Sequence, residues 1–555
     1  MARWTTTARR RRPVLAAASA AALLALTACG GGFSEQQAED QGDQGQGGGG
    51  GETLVIGTIN PPASFDPINQ TDVGGQWANQ FVLDTLLNQP EPLEFTPELA
   101  EEFGTEDNQT FTFTLNPDAT WSDGEPITAE DVVFTLNLIA HPESLTSRGA
   151  NISTLTGVDG ATGKLPDGET EIPGLVAVDE QTVQFETKAP VDPNYIYEMI
   201  GSTIPVLPEH HLADVPPADF GESEFAQLPD VTSGAYTYTS YTDDVSIEYA
   251  ANEDYYRGAP QIPSIAMRIM PAANLAGDLQ AGAIHMNSGG GIGNIPVQDM
   301  PTVEGLENVT TSIDPTIGFQ TMMFNLQTVE DVNVRQAIAH AVNREQIVDQ
   351  LLRGNGEIID GPYTSQSPYL DEGLETTQYD PDRARELLEE TDFDENTTLR
   401  FVVPTGNAIR EQSADIILQN LQDVGFTVEQ SNFDFPTVQG MAQNGEFDLL
   451  LMGYTFNVDP DMSALYSSQG QYNYMGYENP RVDELLDQGK AEPDPEARQE
   501  IYAELQRIWQ EDMPILTTYS DHATSVVSNE LEVGGAAPFW PGTLTDLPEW
   551  HFGTQ

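Results

Sequence analysis

The sequence predicts an α/β fold divided into two or three domains, and three observations lead to this class. Segments with strand alternation and segments with helical periodicity follow one another over residues 398–455, which is typical of an open sheet with crossover helices. Strand, turn and helix signals also follow one another without a break over residues 111–132. Finally, a chain of 555 residues is too long for one compact core.

The first 28 residues carry a targeting signal and not a fold. A basic segment with arginines at 3 and 9–12 precedes an apolar run over 14–26, an order that is typical of a secretory signal peptide and too short for a transmembrane helix. Cys29, the only cysteine of the chain, follows Ala28 in the stretch LTAC. We therefore predict cleavage after residue 28 and lipidation of Cys29, so that the protein is a lipoprotein on the extracytoplasmic face of the cell membrane.

Residues 29–51 are rich in Gly, Gln and acidic side chains. They contain too few apolar residues to pack a core, so we predict a disordered tether between the lipid and the folded part. From about residue 52 onward we expect a soluble body, since no later apolar run is long enough to cross a bilayer.

The composition is strongly acidic, with 21 Lys and Arg against 88 Asp and Glu and a formal net charge of −67. This charge argues against a nucleic-acid partner, because a polyanion would be repelled and no basic patch is present. The acidity fits either a saline habitat, where salt screens the charges, or a genome whose codons favour arginine over lysine. The single cysteine excludes a disulfide within the chain.

In the first half, TLVIGT at 53–58 predicts a buried strand, and the Pro- and Asn-rich stretch 59–70 predicts a loop. QWANQFVLDTLL at 76–87 predicts a helix, and FTFTL and QTVQFET predict two strands. After a turn at Ser122, Asp123 and Gly124, Thr128 is the predicted N-cap of a helix and Asp131 its capping-box partner.

In the second half, strands are predicted at 398–405, 426–430 and 447–455, with helices at 413–424 and 437–445. In open α/β sheets, ligands bind beyond the carboxyl ends of the strands, which indicates residues 405–407 and 453–457 as candidate ligand contacts. A later helix should begin at Pro495 behind the cap Asp494. Its apolar face is formed by Ile501, Leu505, Ile508 and Trp509.

No catalytic motif is visible in the sequence. G-x-S-x-G and H-E-x-x-H are absent, and the only thiol is the predicted lipidation site. The adjacent His210 and His211 could suggest a metal, but no further Cys or His lies close to them in sequence, so the start of a helix is the preferred interpretation. We predict neither an enzyme nor a cofactor.

Several stretches together resemble one protein family. They include FTFTLNPDATWSDGEPITAEDVVFTLNLI, SGAYTYTSY, ANEDYYRGAPQI, MMFNLQTVEDVNVRQAIAHAVNREQIV and GEFDLLLMGYTFNVDPD, and they run in the family's order. With them the chain resembles the solute-binding proteins of ABC importers, specifically the dipeptide- and oligopeptide-binding family of extracellular solute-binding lipoproteins, family 5. The resemblance covers about residues 54–518.

The resemblance implies a two-lobed periplasmic-binding-protein-like fold with a hinge. The first lobe would comprise residues 52–313 with an inserted subdomain at about 89–230, the second lobe residues 314–514, and residues 515–555 would return to the first lobe. It also implies the function, which is to capture a peptide-like ligand between the closing lobes as a monomer and deliver it to ABC permease subunits, without chemistry.

The resemblance also implies ligand contacts. In peptide binders of this family, the segment that matches 453–457 ends in an aspartate that pairs with the peptide's amino terminus, whereas this chain has Asn457, an amide without that charge. Asp459 could compensate, or it could form a loop with Pro460. Together with the strand-end interpretation, the expected ligand-binding residues are Ser64, Phe65, Asp66, Asn287, Phe319, Asn407, Tyr454, Asn457 and Asp459.

Other functions stay open at this point. The same receptor role could serve an oligosaccharide, a metal complex or haem, and the missing aspartate favours a sugar. A secreted hydrolase that uses two cleft carboxylates is a remote alternative, because no motif supports it. A sensor or envelope chaperone of the same fold is not distinguished from a receptor by sequence.

Overall fold

The computed structural model describes residues 53–553 except residues 71, 161, 395 and 538. The predicted signal peptide, the lipidation site at Cys29 and the tether lie outside the described residues.

The described strands are β1 Thr53–Thr58, β2 Leu87–Glu91, β3 Glu94–Pro97, β4 Ala100–Thr105, β5 Thr110–Leu115, β6 Leu175–Ala177, β7 Thr182–Glu186, β8 Tyr236–Thr242, β9 Ser246–Ala251, β10 Ser264–Ile269, β11 Met286–Asn287, β12 Val309–Asp314, β13 Gly318–Phe324, β14 Gly356–Glu357, β15 Thr398–Pro404, β16 Thr427–Phe433, β17 Leu449–Thr455, β18 Ile515–Asp521, β19 Ala523–Ser528, β20 Leu531–Val533 and β21 His551–Phe552.

The described α-helices are α1 Val73–Gln80, α2 Ala129–Ala140, α3 Pro193–Ile196, α4 Glu209–Leu212, α5 Glu224–Gln227, α6 Ala272–Ala281, α7 Met300–Glu304, α8 Val332–Ala341, α9 Arg344–Leu351, α10 Pro381–Glu389, α11 Ala408–Val424, α12 Phe435–Gln443, α13 Ser463–Tyr466, α14 Pro480–Ala491 and α15 Pro495–Asp512. Short 3₁₀ turns lie at Gly149–Ile152, Pro217–Glu222, Trp540–Gly542 and Leu547–Glu549, and a π-helical turn lies at Tyr197–Ser202.

A mixed sheet of seven strands has the order β12-β19-β11-β1-β10-β9-β8. The predicted strand 53–58 is β1, which pairs in parallel with β10 and β11 near the middle of this sheet. A separate antiparallel sheet, β4-β5-β7-β6, is formed by the stretch 100–186. We call these two sheets and the helices packed on them the first lobe.

The six-stranded sheet has the order β14-β18-β13-β17-β15-β16, and with its helices we call it the second lobe. Its strands β15, β16 and β17 are parallel and are connected by α11 and α12, which confirms the α/β pattern predicted for 398–455. Gly425 ends α11 in a left-handed conformation with φ +111°, a position that favours glycine because it has no Cβ.

Buried apolar clusters follow the same division. One large cluster draws its buried members from 54–292 and 531–550, whereas two others draw theirs from 322–519. Each lobe therefore has its own core, as expected for units that can move relative to one another.

The predicted boundary at residue 514 is wrong by one strand. β18 pairs with β13 and β14 in the six-stranded sheet, and only β19 pairs with β11 and β12 in the first lobe. The crossing lies at His522. The physical reason is that β18 fills the place beside β13, where six of its seven residues are buried.

The predicted helix at 76–87 is also placed wrongly. α1 begins earlier because the side chain of Asp72 caps it by accepting a hydrogen bond from the backbone N–H of Gly75, 2.8 Å. It ends at Gln80 because the next carbonyl groups serve another partner: Phe81 O accepts from Tyr236 N and Val82 O from Gly234 N, both at 2.9 Å. Pairing between distant segments thus overrides the local helical pattern.

The turn and helix start around Trp121 have a structural role. Asp131 is the capping-box partner of Thr128, as predicted, and accepts its backbone N–H at 2.8 Å. The same carboxylate also accepts Nε1 of the buried Trp121 at 3.4 Å and the backbone N–H of Glu209 at 2.8 Å. One side chain therefore joins the turn, the start of α2 and the start of α4.

The late helix is also confirmed. Asp494 caps α15 by accepting from Ala497 N at 2.9 Å, and Pro495 is its first residue. Leu505 and Trp509 are buried on its apolar face.

None of the helices that the structure describes is long and apolar enough to span a bilayer. Over the same residues no cluster of three or more His, Cys, Asp or Glu is placed to hold a metal ion. His210 and His211 lie in α4, the helix predicted to start there, and contact Asp123 and Asp230 at 2.8 and 3.0 Å.

We expect Asp131→Ala to lower the free energy of unfolding by about 2–3 kcal/mol, because it removes a helix cap and leaves buried donors without a partner. Thermal unfolding monitored by circular dichroism measures this change. The neighbouring exposed residue supplies the control, Glu130→Ala, which should leave the midpoint unchanged; equal shifts in both variants would contradict the role assigned to Asp131.

Candidate ligand-binding site

The carboxyl ends of β15, β17 and β18 and the amino end of the antiparallel strand β13 border a cavity of about 720 Å³, which we call the first chamber. Its second-lobe wall comes from residues 315–320, Asn407, Arg410 and 453–455. The first lobe contributes segments 72–74 and 288–292, and the chain after β18 contributes residues 521–525 together with Phe539 and Trp540. The chamber therefore lies between the two lobes, and its size is that of a small-molecule site.

The strand-end loops bring polar groups to this chamber. Asn407 caps α11 immediately after β15 and accepts the backbone N–H of Arg410 at 2.9 Å. The Arg410 guanidinium lies beside Gly453, where an added Cβ would stand 2.7 Å from Nη2. A side chain at position 453 would displace the ends of Arg410 and Gln320, so glycine favours this close approach to β17.

Arg410 carries positive charge into the first chamber. Its Nε donates to Oε1 of Gln320 at 2.8 Å, and among the described residues no ion pair engages the guanidinium. Desolvation lowers the pKa of Arg410 from its ordinary value, but arginine stays protonated in proteins. Asp521 also lines this chamber, and burial raises the pKa of its carboxyl group.

A second chamber of about 730 Å³ adjoins the first and shares Gly453, Tyr454 and Thr455 with it. Its lining includes Asn151, Tyr195 and Met199 from the first lobe and Phe435, Gln439, Tyr454, Phe456, Asn457, Tyr472 and Tyr474 from the second. A smaller cavity of about 250 Å³, lined in part by Arg148, Glu198, Asn457 and Trp540, also reaches this segment. Segment 453–457 is therefore the wall that the three cavities share.

A buried ion-pair cluster joins the lobes behind the second chamber. Arg498 of α15 is fully buried and donates from Nη1 to Asp192 at 2.9 Å and from Nη2 to Asp459 at 2.7 Å. Its Nε donates to Gly489 O at 2.8 Å, and Nη1 also reaches the hydroxyl of Tyr369 at 3.2 Å. Since Asp192 caps α3 of the first lobe, this cluster fastens the two lobes together.

Glu198 makes a second contact between the lobes. Its two carboxylate oxygens accept the backbone N–H groups of Val458 and Asp459 at 2.7 and 2.6 Å. Burial, reinforced by the nearby Asp459 carboxylate, raises the pKa of Glu198 to about 7. The loop that follows Asn457 is thus held from the first lobe by hydrogen bonds and from the second by Arg498.

Of the expected ligand-binding residues, Phe319, Asn407 and Tyr454 line the first chamber. Tyr454 also lines the second chamber, together with Asn457 and Asp459. These five residues lie near the ends of β13, β15 and β17. The strand pattern indicated Asn407, Tyr454 and Asn457, whereas Phe319 and Asp459 were expected from the family resemblance.

Asp459 does not offer a free carboxylate. It is fully buried and paired with Arg498, so its charge is already neutralised and the suggested compensation for Asn457 is not available from this side chain. The interpretation of Asp459 as a loop-forming residue describes its position better.

Four further residues line none of these three cavities. Phe65 packs edge-on against Tyr238 and Tyr241, and Asp66 accepts the backbone N–H groups of Ile68 and Asn69. Ser64 in turn accepts from Asp66 N at 3.0 Å. These three residues stabilise the loop after β1.

Asn287 is the fourth residue. It is buried, donates to Gly293 O and Thr524 O and accepts from Val526 N. It therefore ties β11 to β19, and its neighbours 288–292 form the chamber wall instead.

The sequence reasoning missed Arg410, Asp521 and Trp540. Arg410 had a usable signal, since it lies three residues after the cap at the strand end that was already indicated. No sequence signal indicated Trp540, because it belongs to the C-terminal segment and reaches the cleft through tertiary packing against Gly289 and Gly290.

Comparison with known proteins places this geometry in a family. Residues 94–476 match the family model described as bacterial extracellular solute-binding proteins, family 5 middle. The oligopeptide-binding protein AppA of Bacillus subtilis (strain 168) is 26% identical over 505 residues, covering 86% of this chain and 88% of that protein.

Two solved structures share the architecture. AppA from Bacillus subtilis in complex with a nonapeptide has a TM-score of 0.76 at 24% identity, covering 91% of this chain and 99% of that one. The ABC transporter substrate-binding protein CtaP from Listeria monocytogenes has a TM-score of 0.78 at 25% identity, covering 90% and 99%.

The chain is therefore a member of the bacterial extracellular solute-binding proteins of family 5. Its fold is the two-lobed architecture of periplasmic peptide-binding proteins, with the cleft between the lobes.

We expect Arg498→Ala to lower the free energy of unfolding by about 3–5 kcal/mol, because removing one partner of a buried pair leaves the others uncompensated. Urea unfolding followed by tryptophan fluorescence measures the change. Arg481, whose ion pairs with Glu484 and Glu504 are exposed, provides the control: Arg481→Ala should have little effect. An Arg498 variant as stable as wild type would show that the cluster is not essential.

We expect Glu198 to reduce stability as the pH rises from about 4.5 to about 7, because over this window the folded protein retains a proton that the unfolded chain releases. The Glu198→Gln side chain cannot titrate. The free energy of unfolding of this variant, relative to that of wild type, should therefore increase as the pH rises from about 4.5 to about 7. Urea unfolding at several pH values tests this, with Glu130→Gln as an exposed control; a difference that is constant with pH would contradict it.

Proposed function

We propose that this protein is the extracytoplasmic receptor of an ABC importer, which captures peptides between its lobes and delivers them to membrane permease subunits. The family assignment and the similarity to an oligopeptide-binding protein support the receptor role. The sequence of the leader supports attachment to the membrane through lipid on Cys29, and we propose that the receptor acts as a monomer. No reaction is part of the proposal.

The observation that carries the proposal is the first chamber, a cavity between the lobes that Arg410 lines without a direct ion pair to any described residue. Asp521 lines the same chamber and acts on Arg410 only through its charge. A guanidinium in such a place is suited to a ligand carboxylate, which it can bind with two parallel hydrogen bonds. The carboxyl terminus of a peptide supplies this group. Asn407, Phe319 and Tyr454 would then contact the adjoining residues of the ligand.

Closure of the lobes would complete the site. Segments 72–74 and 288–292 of the first lobe face 315–320 and 453–455 of the second across the chamber, so a ligand in it touches both lobes only when they are closed. Binding therefore favours the closed form by the difference in ligand contacts between the open and closed states. A permease that recognises the closed form would receive loaded receptors.

Asn457 changes how the amino end of a ligand is held. The side chain is exposed at the boundary of the second and smaller cavities, where its amide oxygen can accept a hydrogen bond from a ligand N–H. It brings no negative charge, so the carboxyl end at Arg410 becomes the main electrostatic anchor.

We expect Arg410→Ala to weaken binding of peptides with a free carboxyl terminus by about 10–100-fold, the equivalent of one charge-assisted hydrogen-bonded contact. Isothermal titration calorimetry on the purified protein, with each peptide and its C-terminal amide, measures this effect. The amidated peptides should bind wild type and variant alike.

The control is Arg383→Ala, which removes an exposed arginine of α10 and should leave both affinities unchanged. If the free and amidated peptides lose equal affinity in Arg410→Ala, the guanidinium does not bind the carboxyl terminus. If no peptide binds the wild-type protein, peptide capture itself is contradicted.

Capture of an oligosaccharide is a second candidate, favoured by Asn457 and by the aromatic and amide lining of the second chamber. Amide groups and aromatic faces suit an uncharged ligand with many hydroxyl groups. Calorimetry with a linear maltooligosaccharide series separates the candidates: binding that is insensitive to Arg410→Ala would support the sugar.

A further inference from the structure

The second chamber differs from the first in its charge. Its lining includes three charged residues, and each is paired: Asp459 with Arg498 at 2.7 Å, and Asp461 with Lys490 at 3.2 Å. The described lining therefore presents no unpaired charge to a ligand. A charged group would have to give up its water without a partner, which is unfavourable.

Aromatic rings form a continuous wall of this chamber. Tyr454 and Phe456 are two residues apart near the end of β17 and therefore lie on the same face, where their rings stack at 5.5 Å with planes 8° apart. The ring centroid of Tyr472 lies 5.9 Å from that of Tyr454, and the ring centroid of Tyr474 lies 6.3 Å from that of Tyr472.

The wall extends to the surface. Phe435 at the start of α12 lines the same chamber and is 49% exposed. Phe435 adds apolar surface to a lining that already contains the four rings of the wall, and apolar surface gathered at a cavity typically marks a binding site. An apolar or aromatic group of a ligand is the kind of partner that this wall accommodates.

The length of the segment 453–457 gives the approximate distance between Arg410 and Phe456. Arg410 lies beside Gly453, and Phe456 is three residues further along the chain. An extended chain advances about 3.3 Å per residue, so the guanidinium and Phe456, a ring that lines the second chamber but not the first, are separated by about 10 Å along this segment. A bound peptide in extended conformation covers that distance in about three residues.

We propose that the second chamber is a subsite for an aromatic side chain located three or four residues before the carboxyl-terminal residue of the bound peptide. The inference rests on the proposed function, since it takes the carboxyl terminus to lie at Arg410. It identifies the substrate class as peptides of at least four residues that carry an aromatic ring at this position. Dipeptides are too short to occupy both chambers.

The test uses the full chain and a set of hexapeptides. The host peptide contains only alanine and serine, and six further peptides each carry one phenylalanine, at a different position. Calorimetry should give an affinity about tenfold higher than the host for phenylalanine three or four residues before the end. The same ring at the last or the next-to-last position should give little gain.

Variants of the wall locate the effect. Tyr472→Ala should abolish most of the positional gain, and Tyr472→Phe should retain it. The matched control is Phe433→Ala, which removes a ring that is 36% exposed on the same lobe but lines none of the three cavities. It should behave as wild type.

The outcomes separate the two proposals. Host binding that depends on Arg410 but shows equal gains for phenylalanine at every position, or no gain at all, overturns the aromatic subsite and leaves peptide capture standing. If no peptide binds and maltooligosaccharides do, both proposals are overturned. The scan on the wild-type protein decides the question even if a Tyr472 variant fails to fold.

Discussion

The buried guanidinium of Arg498 is the constraint on which the cleft depends. Burial of an arginine and two aspartates is expensive, and it is tolerated only where geometry and hydrogen bonding compensate nearly every charge. Here Asp192, Asp459, Gly489 and Tyr369 all engage the guanidinium. Because these partners come from both lobes, the relative placement of the lobes and the path of the loop after β17 are determined together.

This cluster also decides how charge is distributed in the cleft. Since Asp459 is paired with Arg498, it does not restore the carboxylate that Asn457 lacks, and each charged residue of the described lining of the second chamber is in an ion pair. The Arg410 guanidinium donates to Gln320 in a chain of net charge −67. The surface as a whole repels anions at long range, whereas screening by salt leaves Arg410 to act at contact distance.

The elements that sequence could predict are those with local causes. The capping box at Thr128 and Asp131, the Asp494 cap and the Gly425 stop depend on residues within a few positions of each other, and all three are present. The end of α1 and the place of β18 depend on partners far along the chain, such as Gly234 and β13, and local pattern carries no information about them.

The candidate site divides in the same way. Residues at strand ends, such as Asn407 and Tyr454, could be indicated because the topology of parallel strands places them. The roles of Asp459 and Asn287 could not, since an aspartate that binds a ligand and one that neutralises a buried arginine look alike in sequence. Trp540 required the fold of the C-terminal segment.

The position of β19 has a consequence for the order in which the protein can fold during synthesis. This strand lies between β12 and β11 in the seven-stranded sheet, yet it is made after the whole second lobe. The first lobe thus cannot complete its sheet until residue 528 has been added, while the strands and helices of the second lobe are already available to assemble. Although domains commonly fold in order from the amino terminus, here the lobe that begins first finishes last.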